Sequence, residues 1–539
     1  MTYPVGDDVN AAMTFPLYSL RDSYRTNRRS FIRATASLAT AALWSSQAFG
    51  AVKRQPRLSD YPFQLGVASG DPSPDGFVLW TRLAPKPLEG GGMDRELVEV
   101  SWQIADDEQF SKIVRKGTAI ANPDWAHSVH VEVSGLQPDR WYWYQFKVGN
   151  ETSPKGRART LPHAHTIPSS LRFAFASCQH YEYGYYTAYE HMVSEDLDLI
   201  VHLGDYIYEG GITTDAKQPR RHNSKKIFSV DDYRNRYALY KSDKALQAAH
   251  AHAPWIVTPD DHEVENNYAT DISEALYTTR KDFLQRRAHA YQAYYEHMPL
   301  SRTSLPHGPD IQLFRHINYG ALANFLVLDT RQYRTDQPCG DGNKPPCPDS
   351  LSPDGTILGP RQREWLFQNL RRSRQTWNVL AQQVMMARVD HKQGAGEIFS
   401  MDQWPGYEAD RRRVLKFISD AKVKNAIVLS GDIHSNWAND LLTDFDQLDS
   451  KIVASEFVGT SISSGGDGTR DPAVNKWMSS ENPFVKFHNA ERGYISCKVT
   501  PTEWRSDYRT VEYISKPGAP INTRASFLLS ADKPGLQKI

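Results

Sequence analysis

The stretch DLIVHLGDYIY, residues 198–208, has the pattern that decides the fold: an apolar run followed at once by Gly204 and Asp205. Short runs of Val, Ile, Leu and Phe predict strands that are buried on both faces. Other stretches share this layout, and each ends in a side chain that can bind metal or substrate. They are LRFAFASC (171–178), WIVTPDDHE (255–263), NFLVLDTRQYR (324–334), WNVLAQQ (377–383) and NAIVLSGDIH (425–434). Because ligands bind beyond the carboxyl ends of parallel strands, we expect the endings to converge on one rim as a multi-metal hydrolytic site.

The side chains at these strand ends differ in the metals that they favour. Asp205 directly follows a buried strand, where a carboxylate can bridge two cations. A Tyr208 phenolate beside a Cys178 thiolate suits a strong Lewis acid such as Fe(III). The carboxylates of Asp261 and Asp432 favour a hard ion such as calcium. Taken singly, Asp205, Tyr208 and Cys178 would more often be a turn cap, a loop aromatic and a core residue, and it is their conjunction that favours a metal site. The remaining endings are His262, Asp329, Arg331, Gln382, Gln383 and His434.

The bulk composition is that of an ordinary globular protein. The 539 residues predict two or three domains. Lys and Arg total 63 and so do Asp and Glu, which leaves no global basic field for a stable nucleic-acid complex. No long apolar run predicts a transmembrane segment.

The N-terminus predicts export. NRRSFIR (27–33) contains the pair Arg28 and Arg29, a mildly apolar stretch follows, and AFGA (48–51) matches a signal-cleavage site. We therefore predict a twin-arginine signal peptide over residues 1–50 and a periplasmic or extracellular protein. The alternative is an amphipathic helix with a chance arginine pair. The twin-arginine route carries folded proteins, which agrees with a metal site assembled in the cytoplasm.

Two of the four cysteines predict a disulfide. Cys339 and Cys347 bracket the Gly/Pro loop CGDGNKPPC, and an exported protein meets an oxidising compartment. The alternative is two free thiols on a loop. Cys497, in the strand-like GYISCKVT, is expected to be a small buried apolar residue.

Residues 58–162 predict a β-sandwich domain. VEVSWQIA, HSVHVEVSGL and WYWYQFKVG are β-prone, and GLQPDRWYWYQF resembles a turn and strand of a fibronectin type III-like sandwich. From residue 170 to residue 514, strands alternate with helical stretches at 230–251 and 359–373, which predicts a layered α/β domain. Residues 515–539 are expected to be a tail or a cap over the site.

Together, the motifs SC, LGDYIY, DDHEVENN, LDTRQYR, LAQQVMM and LSGDIH resemble the alkaline phosphatase D (PhoD) family of calcineurin-like metallophosphoesterases. GVASGDPSPDGFVLWTRL resembles the N-terminal domain of that family. The resemblance implies an α/β protein: an αββα-sandwich catalytic domain preceded by the β-sandwich. It also implies that iron is bound by Cys178, Asp205, Tyr208 and His434, and calcium by Asp205, Asp261 and Asp432. By the same resemblance, His262 and Arg331 face the phosphate.

The implied function is that of a secreted alkaline phosphatase and phosphodiesterase, a phosphoric ester hydrolase that uses a metal-activated hydroxide. Its implied cofactors are Fe(III) and Ca(II). Its expected partners are a phosphate mono- or diester substrate and the twin-arginine export machinery, and it is expected to be a monomer. Two alternatives stay open: a phospholipase D-type phosphodiesterase, and a surface-binding protein whose metals are structural.

Overall fold

The computed structural model describes residues 52–539. The predicted signal peptide, with Arg28 and Arg29, lies outside these described residues. The first eight strands are β1 (Val67–Ser73), β2 (Gly76–Arg82), β3 (Val98–Ala105), β4 (Ile113–Ala121), β5 (Ser128–Val133), β6 (Trp141–Val148), β7 (Glu151–Thr152) and β8 (Gly156–Arg159).

These strands form a β-sandwich. One antiparallel sheet has the order β4–β3–β6–β7, with β8 also paired to β6, and the facing layer is β1, β2 and β5. Apolar side chains such as Leu79, Val100 and Phe146 fill the space between the layers. β4, in IVRKGTAIA, has no clear apolar alternation and was not predicted from the sequence.

The remaining strands are β9 (Leu171–Ala176), β10 (Leu199–His202), β11 (Trp255–Val257), β12 (Arg315–Tyr319), β13 (Ala323–Val327), β14 (Asn343–Lys344), β15 (Trp377–Ala381), β16 (Phe399–Ser400), β17 (Ala426–Ser430), β18 (Asn436–Leu442), β19 (Ile452–Val458), β20 (Gly468–Thr469), β21 (Val485–Val499), β22 (Glu503–Val511), β23 (Ile521–Ser530) and β24 (Lys533–Lys538). The helices are α1 (Thr187–Val193), α2 (Val230–Lys241), α3 (Lys244–His252), α4 (Arg280–His297), α5 (Gly359–Arg372), α6 (Glu408–Asp420) and α7 (Asn475–Glu481).

Two packed sheets form the core of this second region. One runs β11–β10–β9–β21–β22–β23–β24 and the other β12–β13–β15–β17–β19–β18–β21. The long strand β21 belongs to both. Side chains such as Phe173, Val201, Phe325 and Leu429 pack between the sheets. Separate apolar clusters cover the outer faces, one with α1–α4 and one with α5–α7, which gives the predicted αββα arrangement.

The sandwich continues directly into this core. Gly70 of β1 pairs with Trp255 of β11 in parallel. A Cβ atom at Gly70 would lie 2.5 Å from the Pro299 carbonyl oxygen and 2.8 Å from that of Trp255, so only glycine permits this approach.

Two sequence expectations require correction. The helical stretch 230–251 is two helices, because the Asp243 side chain accepts backbone N–H groups of Ala245 and Leu246 and starts α3. Most of the last 25 residues form strands rather than a tail or a cap over the site, since β23 and β24 extend the sheet beyond β22. β24 is the edge strand of this sheet and is largely exposed, whereas β23 lies between β22 and β24 and buries most of its second half.

Candidate metal centre

The parallel strands bring their carboxyl ends together, as the sequence predicts. β9, β10 and β11 are parallel neighbours in one sheet, and β13, β15, β17 and β19 are parallel neighbours in the other. At this rim the described residues form three overlapping groups whose ligand atoms lie within 4.8 Å of one another. These groups are Cys178–Asp205–His434, Asp205–Asp261–His262 and Asp260–Asp261–Asp432. Asp205 and Asp261 each belong to two groups, and Asp205 is the residue shared by the group with Cys178 and the group with Asp261, as a carboxylate that bridges those two positions requires.

Tyr208 joins the first of these groups. Its hydroxyl donates to Asp205 Oδ2 at 2.9 Å and lies 3.1 Å from His434 Nε2. Ser464 Oγ donates to the same phenol oxygen at 2.7 Å. All six residues predicted to bind metal are therefore in this one connected cluster.

The backbone at these residues is unusual. The backbone is left-handed, a conformation that residues other than glycine rarely adopt, at four positions: φ is 60° at Cys178, 56° at Asp205, 65° at Asp432 and 52° at His434. Such strain persists only where the surroundings fix it, and it concentrates at functional sites. At Asp205 the fixing group is Glu263, whose carboxylate accepts the backbone N–H groups of Asp205 at 3.1 Å and Tyr206 at 2.6 Å.

The electrostatics of the cluster fit bound cations. Burial, only partly offset by His262, raises the pKa of Asp205 well above its usual range. Burial and then Asp205 raise the pKa of the Cys178 thiol, and burial followed by Asp402 raises the pKa of Asp432 to about 6. Within residues 52–539, Asp205 Oδ1 and Asp261 Oδ1 are buried without a hydrogen-bond partner. Cations would satisfy both oxygens and offset the concentrated negative charge.

His262 occupies a different position from the buried carboxylates. Its Nδ1 lies 2.8 Å from Glu209 Oε2, and its side chain is 19% exposed. Burial lowers the pKa of His262, but Asp205 and Glu209 outweigh that effect and raise it well above its usual range. In turn, His262 overcomes the effect of burial on Glu209 and lowers the pKa of that carboxyl to about 2. With Nδ1 held by Glu209, Nε2 is the ring nitrogen left to face a substrate oxygen, and it donates there when the ring is protonated.

Arg331 departs from its predicted place against the phosphate. It is 1% exposed, and its Nη1 and Nη2 donate to the two Asp402 oxygens at 2.7 and 2.9 Å. Its Nε donates to Asp260 at 2.5 Å, and Nη2 also reaches Asp432 Oδ1 at 3.3 Å. The planar guanidinium therefore orients carboxylates of the cluster and has no solvent-open face for a substrate.

Three other strand-end residues support loops. Gln383 Oε1 accepts from the Thr330 backbone N–H at 3.1 Å and hydroxyl at 2.7 Å. Asp329 accepts the backbone N–H of Arg331 at 3.0 Å, and Gln382 donates to Ser430 Oγ at 2.6 Å. These residues fix the rim and are in none of the metal-capable groups of the described residues.

Several residues of the centre were not predicted from the sequence. Glu209 directly follows LGDYIY, and Asp260 precedes Asp261, so adjacency to a recognised motif was an available signal. Asp402 and Gln403 lie in MDQWPGY, which follows no apolar run, and Gln403 Nε2 donates to Asp432 Oδ2 at 2.8 Å. Only tertiary structure places these last two at the site.

A fourth group, His180–Glu182–His222, also has closely spaced ligand atoms. His222 Nδ1 lies 3.2 Å from the Gly210 carbonyl, and Nε2 lies 3.0 Å from the Tyr240 hydroxyl. Both ring nitrogens are thus used by hydrogen bonds, so this group is a structural network.

Comparison with known proteins agrees with this geometry. The family model of the PhoD-like phosphatase matches residues 173–508, and that of the PhoD-like phosphatase N-terminal domain matches residues 48–162. The chain belongs to the PhoD-like phosphatase family. It is 53% identical over 528 residues to alkaline phosphatase D of Bacillus subtilis (strain 168), covering 96% of this chain and 90% of that protein. A solved structure described as the structure of PhoD is 55% identical, with a TM-score of 0.88 over 90% of this chain and 93% of that chain.

Membership of the PhoD-like phosphatase family confirms the predicted family and fold class, and it confirms that the chain is a phosphoric ester hydrolase. The structure joins Cys339 and Cys347 in a disulfide and buries Cys497 in β21. Among residues 52–539, no helix combines the length and the apolar character needed to cross a membrane.

Proposed function

We propose that this PhoD-like phosphatase hydrolyses phosphate monoesters and diesters at a mixed iron–calcium centre. Cys178, Asp205, Tyr208 and His434 would bind Fe(III), and Asp205, Asp261 and Asp432 would bind calcium. The observation that carries the proposal is the place of Asp205, whose carboxylate groups with Cys178 and His434 of the first set and with Asp261 of the second. The softer set offers sulfur, imidazole and phenol donors, which suit iron, and the second set offers only carboxylates, which suit calcium.

When bound, the cations supply Lewis acidity and positive charge beside the phosphate. The chain itself supplies a proton and the orientation of the ligands. The imidazolium of His262, held at Nδ1 by Glu209, can donate from Nε2 to the oxygen of the leaving group or to the phosphate. Arg331 keeps Asp260 and Asp432 aligned through its pairing with Asp402.

The N-terminal sequence supports a cellular route for this chemistry. Export by the twin-arginine machinery, directed by Arg28 and Arg29, would let the centre assemble before the protein reaches the periplasm or the exterior. The disulfide between Cys339 and Cys347 would then close in the oxidising compartment. We expect the mature protein to act as a monomer that forms no stable nucleic-acid complex.

The test is turnover of three substrates side by side: p-nitrophenyl phosphate, bis-p-nitrophenyl phosphate and phosphatidylcholine. The wild type is compared with Asp205→Asn and with Asp215→Asn, an isosteric change at an exposed carboxylate that accepts its side-chain hydrogen bonds from Lys217 and Gln218 of its own loop. We expect turnover of the two nitrophenyl esters by the wild type and Asp215→Asn, and its loss in Asp205→Asn. Preferential turnover of phosphatidylcholine would favour the phospholipase alternative, and no turnover of either nitrophenyl ester by the wild type would contradict the proposed substrate class.

A further inference from the structure

The disulfide between Cys339 and Cys347 closes a loop with an unusual backbone. Four successive residues, Cys339, Gly340, Asp341 and Gly342, have φ values of 58°, 78°, 61° and 68°. Two of them are not glycines, and a left-handed backbone at such residues needs external constraints. The disulfide supplies one constraint, and contacts with the metal centre supply the others.

The first set of contacts reaches Asp261 through Asn267. Asp341 Oδ2 accepts from Asn267 Nδ2 at 2.6 Å, and Gln337 Nε2 donates to the Asn267 carbonyl at 2.8 Å. The Asn267 backbone N–H in turn donates to Asp261 Oδ2 at 2.6 Å. Asn267 also has a left-handed φ of 48°, so its conformation depends on the hydrogen bonds that hold both its N–H and its carbonyl.

The second set reaches Arg331 through Asp402. Gln337 Nε2 donates to Asp402 Oδ1 at 2.7 Å, the same carboxylate that pairs with Arg331. Met401 donates its backbone N–H to the Gly342 carbonyl at 2.9 Å. Directly beyond these residues, β14 pairs with β16. The disulfide-closed loop therefore fixes the segment that contains Asp402.

We propose that Gln337 and Asp341 are positioning residues of the metal centre and that closure of the Cys339–Cys347 disulfide brings the enzyme to full activity. The activity part rests on the proposed function. In the cell, closure transfers two electrons and two protons from the cysteine thiols to a disulfide of a thiol oxidant, which leaves as two thiols. Both cysteines are half-buried, so a small reagent can reach the bond. A trialkylphosphine reverses closure: phosphine, water and the protein disulfide give phosphine oxide and two thiols.

The first experiment uses hydrogen exchange on the metal-free protein. The peptide that contains the Asn267 amide is followed before and after phosphine reduction, with mass spectrometry confirming two new thiols. We expect reduction to accelerate exchange at this amide, because Asp341 and Gln337, which hold Asn267 against Asp261, lose their fixed positions. A Cys339→Ser/Cys347→Ser double variant should exchange at the faster rate with or without phosphine. Unchanged protection of Asn267 in the reduced protein would overturn the proposal.

The second experiment measures function in parallel. Outer-sphere partners of metal ligands typically change metal affinity or activity by about 10–100-fold. We therefore expect reduced wild type and the double variant to turn over p-nitrophenyl phosphate about 10–100-fold more slowly than the oxidised enzyme, with phosphine leaving the double variant unaffected. Equal rates in the oxidised and reduced enzyme would overturn the inference alone. An inactive, oxidised, metal-loaded wild type would instead overturn the proposed function.

Three variants separate positioning from general stability. Asp341→Ala removes the acceptor for Asn267, whereas Asp341→Asn keeps an oxygen there. Asp354→Ala changes an exposed carboxylate of the same region that does not contact the centre. Calorimetric titration of the metal-free protein with calcium should show affinity weakened about 10–100-fold in Asp341→Ala, largely rescued in Asp341→Asn and unchanged in Asp354→Ala. The same calcium affinity in all three variants would contradict a positioning role for Asp341.

Discussion

The phenol oxygen of Tyr208 lies 3.1 Å from the Nε2 of His434, although 226 residues separate them in the chain. Tyr208 follows a strand of one sheet, and His434 follows a strand of the other. Their contact therefore depends on the packing of the two sheets, and it joins the carboxyl ends of both into one centre. The same contact brings phenol and imidazole donors to Asp205, the residue on which the proposed function depends.

Substitutions of Asp205 and of His262 should impair the enzyme in different ways. Asp205→Asn weakens both proposed metal sets while almost preserving side-chain volume, so we expect loss of bound metal together with activity. His262→Ala removes a proton donor, so we expect metal content to stay near that of the wild type and kcat to fall about 10²–10⁴-fold. Metal analysis and steady-state kinetics on the same samples check this. Equal metal loss in the two variants would contradict the division between ligand and substrate-facing residue.

Arg331→Lys should damage the centre despite its conserved charge. Lysine cannot reproduce the fork that reaches Asp402 with two nitrogens and Asp260 with a third. Removing one partner of a buried ion pair costs about 3–5 kcal/mol because it leaves the other charge uncompensated. Lysine keeps the charge and loses only part of the hydrogen bonding, so we expect the unfolding free energy of the metal-free protein to fall by less than that amount. Urea unfolding measures it. Arg371→Lys, on the exposed side of α5, is the matched control and should change little.

Acid should destabilise the metal-free fold partly through His202. This residue is buried in β10, and burial lowers its pKa to about 3. Below about pH 6.5 the unfolded chain binds a proton at this residue, whereas the folded chain does not do so until about pH 3. The free energy of unfolding therefore decreases by about 1.4 kcal/mol for each unit by which the pH is lowered from 6.5 to 3. In the same pH range, His202→Gln should reduce the slope of unfolding free energy against pH by about 1.4 kcal/mol per pH unit, the contribution of one proton. An unchanged slope would show that His202 takes no part.

Export should depend on the guanidinium groups of Arg28 and Arg29. Lysine keeps the charge and loses the planar fork, so replacing both residues by lysine should leave the precursor in the cytoplasm with its leader attached. Fractionation of cells that express the double variant and the parent checks this. Normal appearance of mature enzyme outside the cytoplasm would remove the twin-arginine route while leaving the hydrolase intact.

The sequence predicts the strand ends well for a physical reason. A strand buried on both faces must be apolar throughout, so the polar residue that ends it, such as Asp205 or Asp432, stands out. The pairing of the Arg331 guanidinium with Asp402 could not be predicted in the same way, because Asp402 lies 71 residues away in a segment without such a strand. β24 was missed because an exposed edge strand has little apolar signal, and β23 was missed because its first half, INTR, is polar. Loop contacts between distant segments, such as Gln337 with Asp402, have no local pattern at all.

The measurement that tests the iron–calcium centre most directly is the visible absorption spectrum of the purified enzyme before and after treatment with EGTA, with activity followed in parallel. Fe(III) bound by Tyr208 or Cys178 should give a charge-transfer band, and calcium on carboxylates exchanges more readily than iron in the softer set. We therefore predict that EGTA abolishes activity, that calcium restores it and that the band stays largely intact throughout. A colourless, fully active enzyme that contains zinc and no iron would contradict the account.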